Sequence, residues 1–190
     1  MSKGLSYYLK QAWKNKDHET WKTRMIEWRA SEAVVKVERP LRLDRARALG
    51  YRAKNGIVVY RVRVKRGGRT RSMQKKGRKS RKQTIRKTLK MNYRWVAEIR
   101  AAKKHTNLEV LNSYNIGKDG KHFYFEVIMV DPSKPEIKND RVLSWISKGT
   151  HRGRADRGLT SAGKQSRGLR TKSRNMKVRP SLRSWNRRGK

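Results

Sequence analysis

The sequence predicts an α+β fold in which a mostly antiparallel sheet of about four strands carries helices on one face. Residues 57–65 alternate between apolar and basic side chains, as a half-buried strand does. Two more alternating runs flank the Asp-Gly pair at 119–120, which is typical of a β-hairpin. Segments with helical periodicity lie before and between these strands, and they cannot all be crossovers between parallel strands.

Two helices are predicted ahead of the first strand. Apolar side chains share one helical face at Leu5, Tyr8, Leu9, Ala12 and Trp13. Asp17 is suited to cap the N-terminus of a second helix. Within that helix, the spacing of Trp21, Met25 and Trp28 predicts that these three side chains pack inward.

The next predicted elements are a short strand, a short helix and a long strand. The short strand covers 33–38. The helix covers 45–49, with Asp44 as its N-cap and Gly50 at the C-terminal cap position. In the long strand, at 57–65, valine and tyrosine side chains share one face and basic side chains the other, which is therefore predicted to be cationic. The basic residues on that face are Arg61, Arg63 and Lys65.

Helical spacing also predicts a helix through the eighties and nineties of the chain. The residues on its apolar stripe are Ile85, Leu89, Tyr93, Val96 and Ile99. Because its first turns overlap a run of basic residues, we expect this helix to be well ordered only from about Leu89.

A two-residue loop at Asp119-Gly120 would set the register of the hairpin. The predicted opposing pairs are Ile116 with Phe123, Tyr114 with Phe125, Asn112 with Val127, and Val110 with Met129. Seven of these eight side chains are apolar, so the face they share is predicted to be buried. Glu126 falls on the opposite face and is expected to be exposed.

Two basic segments accompany the predicted domain. Residues 65–90 hold 13 lysines or arginines and no acid, and residues 148–190 hold 15 with a single acid. Such like charges need water or an anion, so neither segment is expected to build a core. We therefore predict an N-terminal helix at 1–16, an α+β globular domain at 17–131 with a basic insertion at 65–90, a linker at 132–147, and a basic RNA-threading extension at 148–190 that orders only on a partner.

The net charge restricts the partners of this chain. Lysine and arginine number 53 against 14 acids, a formal charge of +39, so the chain is expected to bind polyanions through counterion release. Nucleic acid is the default polyanion. The longest apolar runs are far shorter than the about 20 residues of a membrane span, and no membrane partner is expected. With no cysteine and no secretory signal, a soluble cytoplasmic protein is predicted.

Residues 158–164, GLTSAGK, are the strongest hint of an enzyme, because they fit most of the phosphate-binding loop G-x-x-x-x-G-K-[ST]. Gln165 replaces the hydroxyl residue that would hold Mg²⁺, and no apolar strand precedes the loop. A flexible basic loop is the favoured interpretation, although its backbone N–H groups could hold an RNA phosphate. The histidines lack metal-ligand spacing and no paired-acid motif occurs, so no metal, cofactor, catalytic residue or small-molecule substrate is predicted.

Basic residues of the two segments are the candidate RNA contacts, because arginine binds phosphate bidentately and lysine acts as a point charge. Those in and beside the insertion are Arg61, Arg63, Lys65, Arg66, Arg69, Arg71, Lys75, Lys76, Arg78, Lys79, Arg81 and Lys82. Those in the extension are Arg152, Arg154, Arg157, Lys164, Arg167 and Arg170. Trp185 has no apolar companions, and stacking on a base or plain exposure fits it equally well.

Three stretches of the chain resemble a known family. They are RPLRLDRARALGYRAKNGIVVYRVRVKRGGR (39–69), NLEVLNSYNIGKDGKHFYFEVIMVDPSKPEIK (107–138) and THRGRADRGLTSAGKQSRGLR (150–170). The strings RARALGY, LNSY and GLTSAG are specific in combination, and the resemblance covers nearly the whole chain. They resemble the large-subunit ribosomal protein family numbered fifteen in the eukaryotic and archaeal series. Asn115 stands where we expect that family to have an aromatic residue.

The resemblance implies an α+β protein buried in large-subunit ribosomal RNA through extended basic segments. It implies a structural, non-catalytic function, with that RNA and neighbouring large-subunit proteins as partners. The competing interpretations are a chromatin-like DNA-packaging protein and a metal-dependent nucleic-acid enzyme. A packaging protein would need bare charge without a defined domain, and an enzyme would need an acidic or nucleophilic cluster, which is not seen.

Overall fold

Four antiparallel strands form the central sheet. The computed structural model describes residues 3–15, 17–70, 77, 86–87 and 89–170, with the backbone alone at 69–70 and 86–87. The strands are Val34–Val37 (β1), Ile57–Lys65 (β2), Glu109–Lys118 (β5) and His122–Val130 (β6), and their order across the sheet is β1-β2-β6-β5. A separate two-stranded pair, Arg69–Thr70 (β3) and Arg86–Lys87 (β4), lies at the base of the basic insertion. The predicted α+β fold and its antiparallel sheet are confirmed.

Helices precede, interrupt and follow these strands. The α-helices are Leu5–Lys14 (α1), His18–Ala30 (α2), Leu43–Ala48 (α3), Tyr93–Lys104 (α4), Pro135–Lys138 (α5) and Ser161–Ser166 (α6). Two 3₁₀ helices cover Ser144–Ser147 and Gly149–His151. None of the helices in these described ranges is long and apolar enough to cross a membrane.

The helix caps show where local signals succeed and fail. Asp17 caps α2 as predicted, because its carboxylate accepts from Thr20 N at 2.9 Å. Gly50 follows α3 with φ +99°, a conformation that suits glycine. The prediction that Asp44 caps α3 is wrong: Arg42 is the N-cap residue, and the buried Asp44 carboxylate lies 3.3 Å from Arg42 Nη2.

Helix α4 begins later than its apolar stripe predicts. Asn92 caps it, with its side-chain oxygen accepting from Trp95 N at 2.7 Å. Leu89 therefore precedes the helix, and Ile85 lies outside the described residues. The cap decides the first residue of the helix because it satisfies a backbone N–H that has no partner within the helix.

Helices cover both faces of the sheet, rather than the one face predicted. On one face, helices α2, α3 and α5 and the segment after α5 form the first core around Met25, Trp28, Tyr124, Ile128, Val130, Ile137, Leu143 and Ile146. On the other face, α4 forms the second core with Val62, Val64, Ala97, Ala101, Val110, Phe125, Val127, Met129 and Ala155. The predicted inward packing of Trp21, Met25 and Trp28 is confirmed, with Trp21 partly buried against the first core.

The hairpin turn lies one residue beyond its predicted position. Asp119 pairs with His122, because Asp119 N donates to His122 O at 2.9 Å and the Asp119 carboxylate accepts from Lys121 N at 2.7 Å. This side-chain bond favours aspartate before the two-residue loop Gly120-Lys121, rather than inside it. Lys118 and Asn115 consequently lie opposite Phe123 and Phe125, and the predicted partners Ile116 and Tyr114 are wrong.

Two bulges in β5 restore the register further from the turn. The register shifts between Asn115 and Gly117 and again between Val110 and Asn112, so Val110 lies opposite Met129 as predicted. Asn112, however, lies opposite Ile128 and not Val127. Each bulge inserts one unpaired residue, which an alternation pattern alone does not reveal.

Glu126 shows the consequence of covering both faces. Phe125 is 5% exposed, as predicted for the inward face, but Glu126 is only 1% exposed. Leu41 N donates to Glu126 Oε1 at 3.0 Å, and burial raises the pKa of the carboxyl group. The expectation of an exposed Glu126 is wrong because the chain around Leu41 lies over this side of the sheet.

The predicted linker at 132–147 belongs to the first core. Ile137, Leu143 and Ile146 are each at most 2% exposed. Asp140 fastens this segment, because its carboxylate accepts from Leu143 N at 3.0 Å and lies 2.5 Å from Lys54 Nζ. These contacts lower the pKa of Asp140 to about 2, with the Lys54 hydrogen bond as the main cause. The three apolar residues are spaced too widely to form a local pattern.

Candidate nucleic-acid interface

Arg61 and Arg63 lie against the C-terminal end of α2 rather than on an open cationic face. Arg61 Nη2 donates to Ser31 Oγ at 3.2 Å, and its guanidinium stacks over Trp28 at 5.0 Å. Burial lowers the pKa of Arg61. Arg63 donates to the backbone carbonyls of Trp28 and Arg29, which are among the helix-terminal acceptors without partners in the helix. Both arginines are therefore half-buried and attach the C-terminal end of α2 to β2.

Lys65 and Arg66 are exposed where β2 leads into the basic insertion. Arg66 Nη1 donates to Asp119 O at 2.8 Å, and its guanidinium lies 5.3 Å from the Phe123 ring. The Tyr93 hydroxyl accepts from Gly67 N at 2.9 Å and donates to Gly67 O at 3.1 Å. Tyr93 thus holds the chain at the point where the insertion leaves the sheet.

Only the start of the insertion can be compared with the predicted RNA contacts. Arg69 lies in β3, where the backbone alone is described. Seven predicted contacts lie outside the described residues: Arg71, Lys75, Lys76, Arg78, Lys79, Arg81 and Lys82. Trp185 also lies outside them.

Residues 149–170, the C-terminal segment, pack on the domain and so differ from the predicted partner-dependent extension. Ala155, Thr160 and Ala162 are at most 1% exposed. Trp95 Nε1 donates to Ala155 O at 2.6 Å, and Asn92 Nδ2 donates to Ala162 O at 3.0 Å. Small residues between the arginines let the backbone approach α4 closely, so the high charge does not prevent folding.

Arg154 is the most deeply buried of the predicted RNA contacts whose side chains the structure describes. It is 8% exposed and donates to Val110 O and, at 2.8 Å, to Leu111 O, where β5 bulges. Its guanidinium stacks over Trp145 at 4.9 Å. Desolvation lowers the pKa of Arg154. The side chain thus satisfies carbonyl groups of the bulge and fastens the C-terminal segment to the sheet.

A buried carboxyl group completes this attachment. Glu98 of α4 is 0% exposed and accepts hydrogen bonds from Ser113 Oγ of β5 and Thr160 Oγ1 of the C-terminal segment. Burial raises the pKa of Glu98, while the two hydroxyl bonds and the nearby Arg94 and Arg154 oppose that rise. One side chain therefore joins the helix, the sheet and the C-terminal segment.

The GLTSAGK stretch forms a capped helix rather than a flexible loop. Thr160 Oγ1 accepts from Gly163 N at 3.1 Å and so caps α6. A Cβ atom on Gly163 would lie 2.6 Å from Gly158 Cα, so the glycines permit close packing of two backbone segments. Their role in the fold accounts for this motif without a bound phosphate.

The remaining predicted contacts of the C-terminal segment divide into two groups. Arg157 and Arg167 bond to backbone carbonyls of the segment itself, for example Arg167 Nη1 to Gly158 O at 3.2 Å. Arg152, Lys164 and Arg170 are exposed, and Arg170 also donates to Ser161 Oγ. The fold therefore leaves these three cations at the surface.

Positive charge is largely uncompensated in the described part of the chain. Its lysines and arginines form ion pairs with acids at only four places: Arg29–Asp119, Arg42–Asp44, Lys54–Asp140 and Lys104–Glu32. Many other guanidinium groups bond to neutral carbonyls, which leaves their charge in place. No cluster of metal-ligating side chains occurs among these residues. The surface can attract a polyanion, as the sequence predicts.

Sequence reasoning missed the residues that hold the two basic segments in position. Glu98 lies beside Ala97 and Ala101 on the buried side of α4, but its partner Thr160 lies 62 residues away. Helical spacing places Tyr93 on an apolar stripe, and nothing local points to its bonds with Gly67. Asn92 carries a recognisable cap signal that the stripe of larger apolar residues conceals.

Comparison with known proteins identifies the family. Residues 4–185 match the family described as Ribosomal L15. A relative from Methanocella arvoryzae, named Large ribosomal subunit protein eL15, is 52% identical over 196 aligned positions that cover 100% of both chains. A relative of the same name from Methanospirillum hungatei is 48% identical over 190 positions that cover 97% of each chain. The chain therefore belongs to the Ribosomal L15 family.

Proposed function

We propose that this chain is a structural, non-catalytic constituent of the large ribosomal subunit that binds and compacts its RNA. The match to the Ribosomal L15 family over residues 4–185 carries this proposal. The relatives' names place them in the large subunit. The charge of +39 supplies the attraction to RNA, because neutralising phosphates releases counterions.

The division of arginines into two groups supports a physical mechanism. Arg61, Arg63, Arg154 and Arg167 hold the fold together through bonds to hydroxyl or carbonyl oxygen. The exposed Lys65, Arg66, Arg152, Lys164 and Arg170 are the proposed phosphate contacts, together with the predicted residues of the insertion that lie outside the described ranges. Arg157 bonds to backbone carbonyls of its own segment but is also exposed, and it is proposed to add to these contacts. A rigid domain that presents fixed cations can neutralise RNA helices as they approach one another.

Sedimentation tests the assignment directly. A tagged copy should travel with large subunits on a sucrose gradient of cytoplasmic extract, together with ribosomal RNA and neighbouring ribosomal proteins. Cofractionation with chromatin, or sedimentation as free protein in growing cells, would contradict the proposal. A variant that removes charge at Arg152, Lys164 and Arg170 should enter the subunit less efficiently than one that removes charge at Lys10, Lys22 and Lys36, which are also exposed.

Binding to RNA should depend steeply on salt. If the free protein engages 6–10 phosphates, its affinity for large-subunit RNA fragments should fall by roughly 10³–10⁵ between 50 and 200 mM salt. Filter binding across that range measures the slope. A nearly flat plot of log affinity against log salt would show that charge does not determine binding.

A further inference from the structure

A cavity of about 450 Å³ opens beside the first core, where three turns meet. Thr106 and Asn107 come from the turn between α4 and β5, and Ser133 from the turn after β6. The 3₁₀ segment contributes Ile146, Ser147, Lys148, Gly149 and Arg152. Each turn is held internally: Leu108 N donates to His105 O at 3.1 Å, Ser133 N to the Asp131 carboxylate at 2.9 Å, and His151 N to Lys148 O at 2.9 Å. The cavity is therefore preformed.

Three cations that line this cavity have no side-chain partner among the described residues. Lys138, Lys148 and Arg152 are exposed, and their side chains make no hydrogen bond or ion pair with the described residues. The acid among the lining residues, Glu109, is occupied, because its carboxylate accepts from Gly153 N at 2.8 Å. The lining thus carries a net positive charge that a bound anion would neutralise.

Neutral polar groups occupy the rest of the lining. The Ser147 hydroxyl oxygen is buried and has no hydrogen-bond partner among the described residues. The side chains of Thr106 and Asn107 are exposed at the cavity, and Ile146 and Pro132 add apolar surface. A buried hydroxyl without a partner is unfavourable, so rotation of the Ser147 side chain toward a ligand in the cavity would gain affinity.

We propose that this cavity binds one unstacked nucleotide of RNA. The phosphate would lie among Lys138, Lys148 and Arg152, and the ribose and base would meet Ser147, Asn107 and the apolar surface. The volume lies within the roughly 300–1,000 Å³ of pockets that enclose small organic groups, and exceeds what a phosphate alone needs. RNA presents such nucleotides in loops and bulges, where bases are free to leave the stack.

This inference rests on the proposed function, since a nucleotide reaches the cavity as part of bound ribosomal RNA. Its contribution differs in kind from that of the surface cations. Phosphate contacts add affinity that weakens with salt, whereas hydrogen bonds to a base or ribose add affinity that does not. A variant that changes no charge therefore measures the contribution of the cavity separately from the general electrostatic attraction to RNA.

The test uses the full chain and three double variants. Asn107→Ala with Ser147→Ala removes polar groups and no charge. Lys148→Gln with Arg152→Gln removes two lining cations. Lys22→Gln with Arg47→Gln removes two exposed cations that do not line the cavity and is the matched control. Ser147→Ala deletes a hydroxyl without a partner, so the neutral variant should melt with the wild-type protein.

Two measurements are made on each protein. The first follows backbone amide resonances at about 300 mM salt, which screens surface charges, during titration with an equimolar mixture of the four nucleoside 5′-monophosphates, and separately with inorganic phosphate. The second is filter binding of a large-subunit RNA fragment across a range of salt concentrations. The monophosphates should shift the amides of Asn107, Ser133 and Ser147, and phosphate should shift them less.

The neutral variant should bind the RNA fragment roughly tenfold more weakly with an unchanged salt slope, as expected for lost hydrogen bonds. The variant at Lys148 and Arg152 should lose both the monophosphate response and part of the slope, and the control should keep the response. If phosphate and the monophosphates shift the amide resonances equally, the cavity binds an adventitious ion only, and the proposal is overturned. Wild-type affinity in the neutral variant would also overturn it. Failure of the wild-type protein to bind RNA would instead contradict the proposed function.

Discussion

The basic insertion and the C-terminal segment are both rich in lysine and arginine, and charge alone predicts RNA binding by either. Their described residues, however, are organised in different ways. Residues 65–68 of the insertion are all exposed, and the Tyr93 hydroxyl holds the backbone at Gly67. Residues 149–170 instead bury Arg154, Thr160 and Ala162 against α4 and β5. A basic segment can therefore fold against the sheet where small and hydroxyl residues stand between its cations.

Truncation of the C-terminal segment should have the largest effect on stability. Ending the chain at Lys148 removes the Thr160 partner of Glu98 and the bonds from Arg154 to β5, and it uncovers the second core. We expect a loss of roughly 5 kcal/mol or more, enough to abolish cooperative unfolding of a domain of ordinary stability. A chain ended at Arg170 keeps all these contacts and is the control in thermal and denaturant melts. Equal melting of the two truncations would show that residues 149–170 are not part of the fold.

Glu98→Ala tests the single side chain that joins the three elements. It leaves the Ser113 and Thr160 hydroxyls without their acceptor and removes the negative charge near Arg154. Loss of one member of such a buried network should lower the free energy of unfolding by about 3–5 kcal/mol. Glu38→Ala, at an exposed position, is the control and should change it by no more than about 0.5 kcal/mol. Similar denaturation midpoints for the two variants would contradict the role of Glu98.

Glu98→Gln tests whether the role of Glu98 depends on pH. It should lower the free energy of unfolding by less than Glu98→Ala does, because glutamine keeps an acceptor oxygen. Burial raises the pKa of Glu98 above its value of 4.5 in the unfolded chain. Stability linked to its proton is therefore fully present below that value and is lost as the pH rises through the folded pKa. The wild-type protein should lose stability relative to Glu98→Gln as the pH rises above 4.5, as urea melts would measure. A difference that grows with pH in favour of the wild-type protein would mean that the folded pKa is lowered.

Gly163→Ala tests close packing within the C-terminal segment. The added Cβ would lie 2.6 Å from Gly158 Cα, and backbone must move to admit it, so a loss of about 1–3 kcal/mol is expected. At Gly149 no atom lies within 4 Å of such a Cβ, and Gly149→Ala should be neutral or stabilise the protein by up to about 1 kcal/mol. Thermal melts of both variants give the comparison. Equal melting temperatures would show that α6 does not pack as described.

Tyr93→Phe makes the smallest change, on the side of the insertion. It removes both hydroxyl bonds to Gly67 and keeps the ring stacked on Phe123. We expect a loss of about 1 kcal/mol and faster hydrogen exchange at the Gly67 amide. Tyr8→Phe, at an exposed residue of α1, should change neither quantity. A loss as large as that of Glu98→Ala would show that the two segments are held equally firmly, and the comparison would fail.

The four strands of the central sheet, the helices α1 to α4 and the cationic character of the surface follow from the sequence alone. Period-two alternation at 57–65, the caps at Asp17 and Gly50 and the helical spacing of Trp21, Met25 and Trp28 all appear in the structure. These signals are reliable because neighbours along the chain generate them. The family strings and the charge of +39 likewise indicate a ribosomal RNA-binding protein without any knowledge of long-range contacts.

Long-range contacts determine which basic residues stabilise the fold and which remain exposed as proposed RNA contacts. Arg61 and Arg66 lie close together in the sequence, as do Arg152 and Arg154, and nothing local distinguishes the members of each pair. In the structure, Arg61 donates to Ser31 and Arg154 donates to carbonyls of β5, and these partners are far away in sequence. Burial of Glu126 and the bond between Glu98 and Thr160 likewise depend on segments 62 to 85 residues apart. Local periodicity carries no information about such partners. The distant segments come together because burying both faces of the sheet is favourable, and the polar groups buried with them must then find hydrogen-bond partners.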